Sequence, residues 1–80
     1  MKVNVLAFGI AKDIFGSSSI AVELPENGTT QSLKQSLEER YPRLKHIVSY
    51  MVAVNNEYAT DESLLTEGDE IAIIPPVSGG

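Results

Sequence analysis

Hydrophobic and polar residues alternate near both ends of this sequence and follow a helical spacing in its middle. In residues 2–8 (KVNVLAF), Lys2 and Asn4 alternate with Val3 and Val5, so a first strand is expected there. Residues 9–16 are bracketed by glycines and space Ile10 and Ile14 by four, which fits a short helix or turn. Residues 19–24 (SIAVEL) place Ile20, Val22 and Leu24 on one face and Ser19, Ala21 and Glu23 on the other. This second strand is expected to pair with the first as a hairpin. Pro25-Glu26-Asn27-Gly28 ends it in a turn.

Thr29 or Thr30 can cap a helix by accepting an orphan backbone N–H. The helix should run to about Arg40, with Leu33, Leu37, Tyr41 and Leu44 forming one apolar stripe. Pro42 should stop it, because the residue before a proline is pushed out of the α region. After a loose stretch through His46 and Ile47, residues 51–54 (MVAV) read as a short buried strand. Asn55-Asn56 makes a turn, and residues 57–59 return as a brief strand. Leu64 and Leu65 are expected to anchor a loop. Glu67-Gly68-Asp69 forms a tight turn in which Gly68 supplies a positive φ, and residues 70–74 (EIAII) are the last strand.

One main helix over a mixed sheet of four or five strands, with the first and last strands adjacent, is the α+β architecture called β-grasp, or ubiquitin-like. A ferredoxin-like βαββαβ fold would need a second long amphipathic helix between Asn55 and Glu70. The Asp, Thr and Gly content of that stretch offers none. The expected organisation is a domain over residues 1–74 and an extended tail over residues 75–80.

Composition narrows the function. Eighty residues allow one small domain, and 42% hydrophobic with 21% charged residues is ordinary globular content. The absence of cysteine excludes a disulfide scaffold, a zinc ribbon, an iron–sulfur site and a thiol nucleophile. One histidine, His46, is too few for a His-built metal site or a triad. The net charge of −5 repels phosphate backbones and argues against nucleic acid as a partner, while suiting a basic protein surface. No apolar run is long enough to span a membrane, and Met1-Lys2 leads directly into strand-like sequence without a signal-peptide pattern. A cytoplasmic protein is expected.

The last six residues, Pro75-Pro76-Val77-Ser78-Gly79-Gly80, hold two of the four prolines and two of the six glycines. Pro75 and Pro76 fix φ and favour an extended exit from a rigid strand. Val77 offers one anchor side chain, and Gly79 and Gly80 have no Cβ, so the end can thread a narrow channel. A stiff exit, an anchor and a bare end describe a probe for another protein's active site. The reactive group at its tip is the Gly80 carboxylate, ionised at neutral pH and a poor electrophile until activated, most simply as an acyl-adenylate by an ATP-using partner. An amine would then give an isopeptide and make the protein a modifier; a persulfide would give a thiocarboxylate and make it a sulfur carrier.

Other candidates have plainer readings. Asp61-Glu62 and Asp69-Glu70 are adjacent carboxylates in turns, which point apart into water rather than form acid–base pairs. Lys12 between Gly9 and Gly16 lacks the spacing of a phosphate loop. His46 reads as a surface or helix-end residue, and Tyr41, Tyr58 and Phe15 as packing. Phe8, Ile73, Ile74 and Val77 are candidates for an exposed apolar patch that docks a partner, together with Pro75, Pro76 and Ser78 of the tail.

Residues 52–55 (VAVN), the turn of residues 65–70 (LTEGDE) and the ending Pro75-Pro76-Val77-Ser78-Gly79-Gly80 resemble the small-subunit family of molybdopterin synthase, the MoaD family. The resemblance covers essentially the whole chain and is strongest over its last thirty residues. It implies a β-grasp fold and a cycle in which a ubiquitin-activating-type enzyme adenylates Gly80. A sulfur donor makes the thiocarboxylate, and the tail enters the large synthase subunit. There sulfur passes to cyclic pyranopterin monophosphate to build the molybdopterin dithiolene. It further implies a heterotetramer whose catalytic side chains belong to the large subunit, and no cofactor bound permanently, ATP being used by the activating partner. Family members often carry aromatic residues before the Pro-Pro, where this sequence has Ile73 and Ile74. The alternatives are the thiamine-pathway sulfur carrier, which shares the fold and a Gly-Gly end, and a ubiquitin-like docking or conjugating module.

Overall fold

The computed structural model describes residues 1–47 and 49–76. Five strands and two α-helices follow in the order β1 (Lys2–Ala7), α1 (Ile10–Phe15), β2 (Ser19–Glu23), α2 (Thr30–Arg40), β3 (Met51–Val54), β4 (Glu57–Tyr58) and β5 (Glu70–Ile74), with a 3-10 helix at Pro42–His46 between α2 and β3. The sheet order is β2-β1-β5-β3-β4. β1 pairs antiparallel with β2 and parallel with β5, and β3 pairs antiparallel with β5 and β4. One helix over a mixed sheet with adjacent first and last strands is the β-grasp arrangement expected from the sequence.

Strand alternation decides which side chains enter the core. Val3, Val5 and Ala7 of β1, Val22 of β2, Val52 of β3 and Ile71 and Ile73 of β5 are buried on the inner face. They pack with Leu33 and Leu37 of α2, Leu44, Leu65, Ala11 and Phe15. Helix α2 starts where its cap dictates: the Thr29 hydroxyl accepts the Ser32 backbone N–H at 3.2 Å. The last turn of α2 reaches back to the sheet, where Arg40 donates to the Ala21 carbonyl at 3.2 Å and occupies part of the outer edge of β2.

Three details differ from the sequence expectation. Pro42 ends α2 but also opens the 3-10 helix, because a proline is tolerated in a first turn where its missing N–H would be unpaired anyway. That short helix delivers Leu44 to the core, fully buried. Of the two leucines expected to anchor the loop, Leu65 is 2% exposed and Leu64 is 65% exposed. The segment is extended there: Thr29 and Leu64 form a β-bridge and Leu65 N–H donates to Gly28. Successive side chains of extended backbone point to opposite sides, so one leucine must face out. Met51, likewise, is 46% exposed because it heads β3 on the outer face.

The turns carry the residues their geometry requires. Asn55 and Asn56 both have positive φ (53° and 71°), the signature of a two-residue hairpin loop between β3 and β4. Gly68 has φ 96°, as expected of the turn before β5. Asp69 locks that turn, accepting the Thr66 backbone N–H at 2.8 Å and the Asn55 amide at 3.0 Å, while Glu70 N–H donates to the Asn55 side-chain oxygen at 3.0 Å. One carboxylate therefore joins the β3–β4 loop to the start of the central strand. The Thr66 hydrogen bond, followed by that of Asn55, holds the Asp69 carboxyl below its ordinary pKa. A carboxyl whose pKa is lower folded than unfolded stabilises the fold fully above the unfolded value and loses that contribution as pH falls through the folded one. Thermal melts between neutral and strongly acid pH should therefore show Asp69→Asn with a flatter decline than the wild type below the usual carboxylate range. Parallel declines would show that Asp69 does not couple the fold to protons.

Candidate functional site

The tail leaves from the centre of the sheet. β5 lies between β1 and β3, and its last residue, Ile74, pairs with Met51. Pro75 and Pro76 follow; having no N–H, they cannot extend the ladder. Pro75 is half-buried and Pro76 exposed. The ring of Pro75 lies over Gly9, where an added Cβ would stand 3.3 Å from Pro75 Cγ. The root of the tail is thus seated against the loop between β1 and α1.

Beside that root, the outer face of the sheet carries an apolar groove. The pairings align Leu6 with Ala72, Ala72 with Ala53, and Ala53 with Tyr58. The two alanines make a low floor between taller side chains. Phe8 and Ile74 rise at the tail end, and Glu70 and Asn56 at the other, enclosing about 360 Å³. Phe8 is 52% and Tyr58 68% exposed, and Met51 adds a further exposed apolar side chain next to Ile74. Contiguous apolar surface of this kind makes the groove the candidate docking site among the described residues.

Of the residues singled out in the sequence, Phe8, Ile74, Pro75 and Pro76 come together here. Ile73 does not. It is fully buried against the helix side and belongs to the core, because it points opposite to Ile74 along the strand. Val77, Ser78, Gly79 and Gly80 lie outside the described residues. Leu6, Ala53, Ala72, Tyr58 and Gly9 were not anticipated. One local signal existed for Leu6: it shares the polar face of β1 with Lys2 and Asn4, an apolar residue on the side turned from the core.

The acidic pairs serve the fold. Asp61 binds the Lys34 ammonium at 2.9 Å, and Asp69 holds its turn. Lys34 also lies 5.7 Å from the Tyr50 ring, and the Tyr50 hydroxyl donates to Glu38 at 2.5 Å. Burial, then the hydrogen bond to Glu38 and the nearby carboxylates, push the Tyr50 phenol well above its usual range, so it stays a donor. This cluster ties the entry of β3 to α2. His46 is exposed at the last turn of the 3-10 helix. Among the described residues no group of three or more His, Asp or Glu side chains could hold a metal ion, and no helix is long and apolar enough to cross a membrane.

Comparison with known proteins gives a consistent result. The model of the ThiS family matches residues 5–80. The molybdopterin synthase sulfur carrier subunit of Arabidopsis thaliana is 37% identical over 81 residues, spanning 100% of this chain and 84% of that protein. Its counterpart in Mycobacterium tuberculosis is 38% identical over 82 residues, spanning 100% of this chain and 99% of that protein. Among solved structures, the putative molybdopterin converting factor subunit 1 of Pyrococcus furiosus matches with a TM-score of 0.89 and 27% identity over 96% of this chain and 99% of that one. The small archaeal modifier protein 1 of Methanosarcina acetivorans matches with a TM-score of 0.83 and 26% identity over 99% and 96%. A complex of subunits 1 and 2 of molybdopterin-converting factor from Helicobacter pylori contains a match with a TM-score of 0.72 and 25% identity over 100% of both chains.

Proposed function

The chain belongs to the ThiS family and is related along its whole length to molybdopterin synthase sulfur carrier subunits, and from that premise we propose that it carries sulfur on Gly80 for building the molybdopterin dithiolene. An ATP-using enzyme of the ubiquitin-activating type adenylates the Gly80 carboxylate, with release of pyrophosphate. The terminal sulfur of a persulfide donor displaces AMP to give an acyl disulfide. A thiol then cleaves its S–S bond, ending as a disulfide with the donor sulfur and leaving the thiocarboxylate. The tail then enters the large subunit of the synthase, and sulfur passes to cyclic pyranopterin monophosphate. Two carriers are used for each dithiolene, which suits a heterotetramer with two small subunits. ATP belongs to the activating partner, and this chain holds no cofactor of its own.

The observation that carries this reading is the apolar groove at the root of the Pro-Pro exit. A chain whose described residues bring together no catalytic side chains, yet which presents a docking surface beside a stiff, glycine-ended probe, is built to deliver its terminus to another protein. Phe8, Ile74, Leu6 and Tyr58 supply the docking surface, and the large subunit covers it. The complex of subunits 1 and 2 from Helicobacter pylori, in which one chain shares this fold, supports such a pairing. The likeness to a small archaeal modifier protein favours a second reading, in which an amine takes the activated carboxyl and the chain becomes a conjugated modifier. The thiamine-pathway carrier shares the same first two steps and differs in its acceptor.

Intact-protein mass spectrometry separates these outcomes. Purified from a host that makes molybdenum cofactor, the chain should contain a species with one Gly80 oxygen replaced by sulfur, and that species should convert cyclic pyranopterin monophosphate when mixed with the large subunit. A carboxylate alone, even after ATP, activating enzyme and sulfur donor are supplied, would overturn the carrier reading. An isopeptide to lysine would support the modifier, and transfer only to a thiazole precursor the thiamine route.

A further inference from the structure

We propose that Gly9 is a positioning residue for the terminus: by leaving room for the Pro75 ring it sets the direction in which the chain leaves the sheet at Pro76. The proposal rests on the reading that Gly80 is the reacting residue, and it adds a residue 66 positions upstream of the tail's first proline, on a different element.

Two independent features require glycine at this position. Its backbone has φ 57° and ψ −131°, a combination that residues with a Cβ rarely adopt. A Cβ here would also stand 3.3 Å from Pro75 Cγ, closer than such contacts normally come. The neighbour that would have to yield is a proline ring, not the loose end of a flexible side chain. Its predecessor, Ile74, is held in the central strand by its pairing with Met51. On the other side, Gly9 is fixed by the first turn of α1, where its carbonyl accepts Lys12 N–H at 3.1 Å, and α1 is pinned in the core by Ala11 and Phe15. With both anchors held, the yielding falls on Pro75 itself. Pro76 adds a second fixed φ, so a change of direction at Pro75 is carried forward along a stiff pair instead of being absorbed.

Gly16, at the other end of α1, provides the internal control. It too has a positive φ, 76°, but a Cβ there meets nothing within 4 Å. Alanine at Gly16 strains the same short helix without touching the tail.

The experiment follows adenylation of the full-length chain by the cognate activating enzyme, read as ATP–pyrophosphate exchange, with melting temperature measured in parallel. The outer face of the sheet is untouched in Gly9→Ala, so KM should stay within about threefold, whereas kcat should fall about tenfold as the reacting carboxyl is misplaced. Gly16→Ala should lower the melting temperature and leave kcat unchanged. Pro75→Ala loses the same contact from its other side without straining α1, and it keeps the proposal testable if Gly9→Ala does not fold. It should lower kcat, and adding Gly9→Ala to it should cost far less than in the wild type. Three results would overturn the proposal: an unchanged kcat in folded Gly9→Ala, a full Gly9→Ala penalty in the Pro75→Ala background, or an unchanged kcat in Pro75→Ala when Gly9→Ala fails to fold. An absence of exchange with the wild-type chain would instead overturn the reading of Gly80.

Discussion

Ile73→Ala should destabilise the domain by about 2–5 kcal/mol, while the same change one residue later should leave stability nearly intact and weaken the partner complex. Ile73 is fully buried, facing the core between Ala7 and Val52, its neighbours in register on β1 and β3. Truncation there leaves a cavity walled by strands on both sides, which can collapse only partly. Small domains have about 5–15 kcal/mol in total, so urea denaturation of Ile73→Ala should show a much lower midpoint with an unchanged slope. Ile74 is half-buried on the outer face, opposite Met51, and forms a wall of the groove. Its truncation should cost the free protein less than about 1 kcal/mol and reduce affinity for the large subunit about tenfold or more, as for a residue at the centre of an interface. Titration calorimetry of the two variants against the large subunit decides it. An Ile74→Ala chain that binds with wild-type affinity would remove Ile74 from the docking surface.

The same pair shows what the sequence could and could not disclose. The strands and the main helix were legible because their signals are local: alternation over residues 2–7 and 19–24, and the stripe of Leu33 and Leu37 behind the Thr29 cap. Expectation and structure part where two apolar residues are adjacent. Composition alone suggests one docking surface for Ile73-Ile74 and one anchor for Leu64-Leu65, yet extended backbone sends neighbours to opposite sides. The tail was legible as composition, two prolines and two glycines in six residues. The groove was not, because no stretch of chain contains it. Leu6, Ala72, Ala53 and Tyr58 form one row only after four strands pair in a particular register, and two alanines become a floor only when larger residues flank them in space. The role of Gly9 is illegible in the sequence for a related reason. Its partner, Pro75, is brought to it by the parallel pairing of β1 with β5, which a reading of either segment alone does not contain.

Removal of Gly79 and Gly80 should abolish sulfur transfer and leave the melting temperature unchanged. The core of the described residues ends at Ile73, and beyond it Pro75 is half-buried and Pro76 exposed, which is why the melting temperature is expected to hold. The shortened chain still ends in a carboxylate, that of Ser78. Loss of function would therefore not reflect loss of the reactive group as such. Two residues span about 7 Å when extended, so a chain seated on the activating enzyme as the wild type is would hold its carboxyl that far short of that enzyme's nucleotide, well outside the roughly 3–3.5 Å that reaction demands. Reach and width can be separated. Gly80→Ala keeps the length and adds one methyl group at the tip, and if the channel admits only bare backbone it should lower the rate of adenylation while retaining binding. Adenylation, thiocarboxylate yield and binding to the large subunit, measured for both variants, test the reading of the tail as a probe. A shortened chain that is still adenylated at Ser78 at the wild-type rate would show that the partner follows the terminus wherever it lies, and that the length of the tail is not what the fold holds constant.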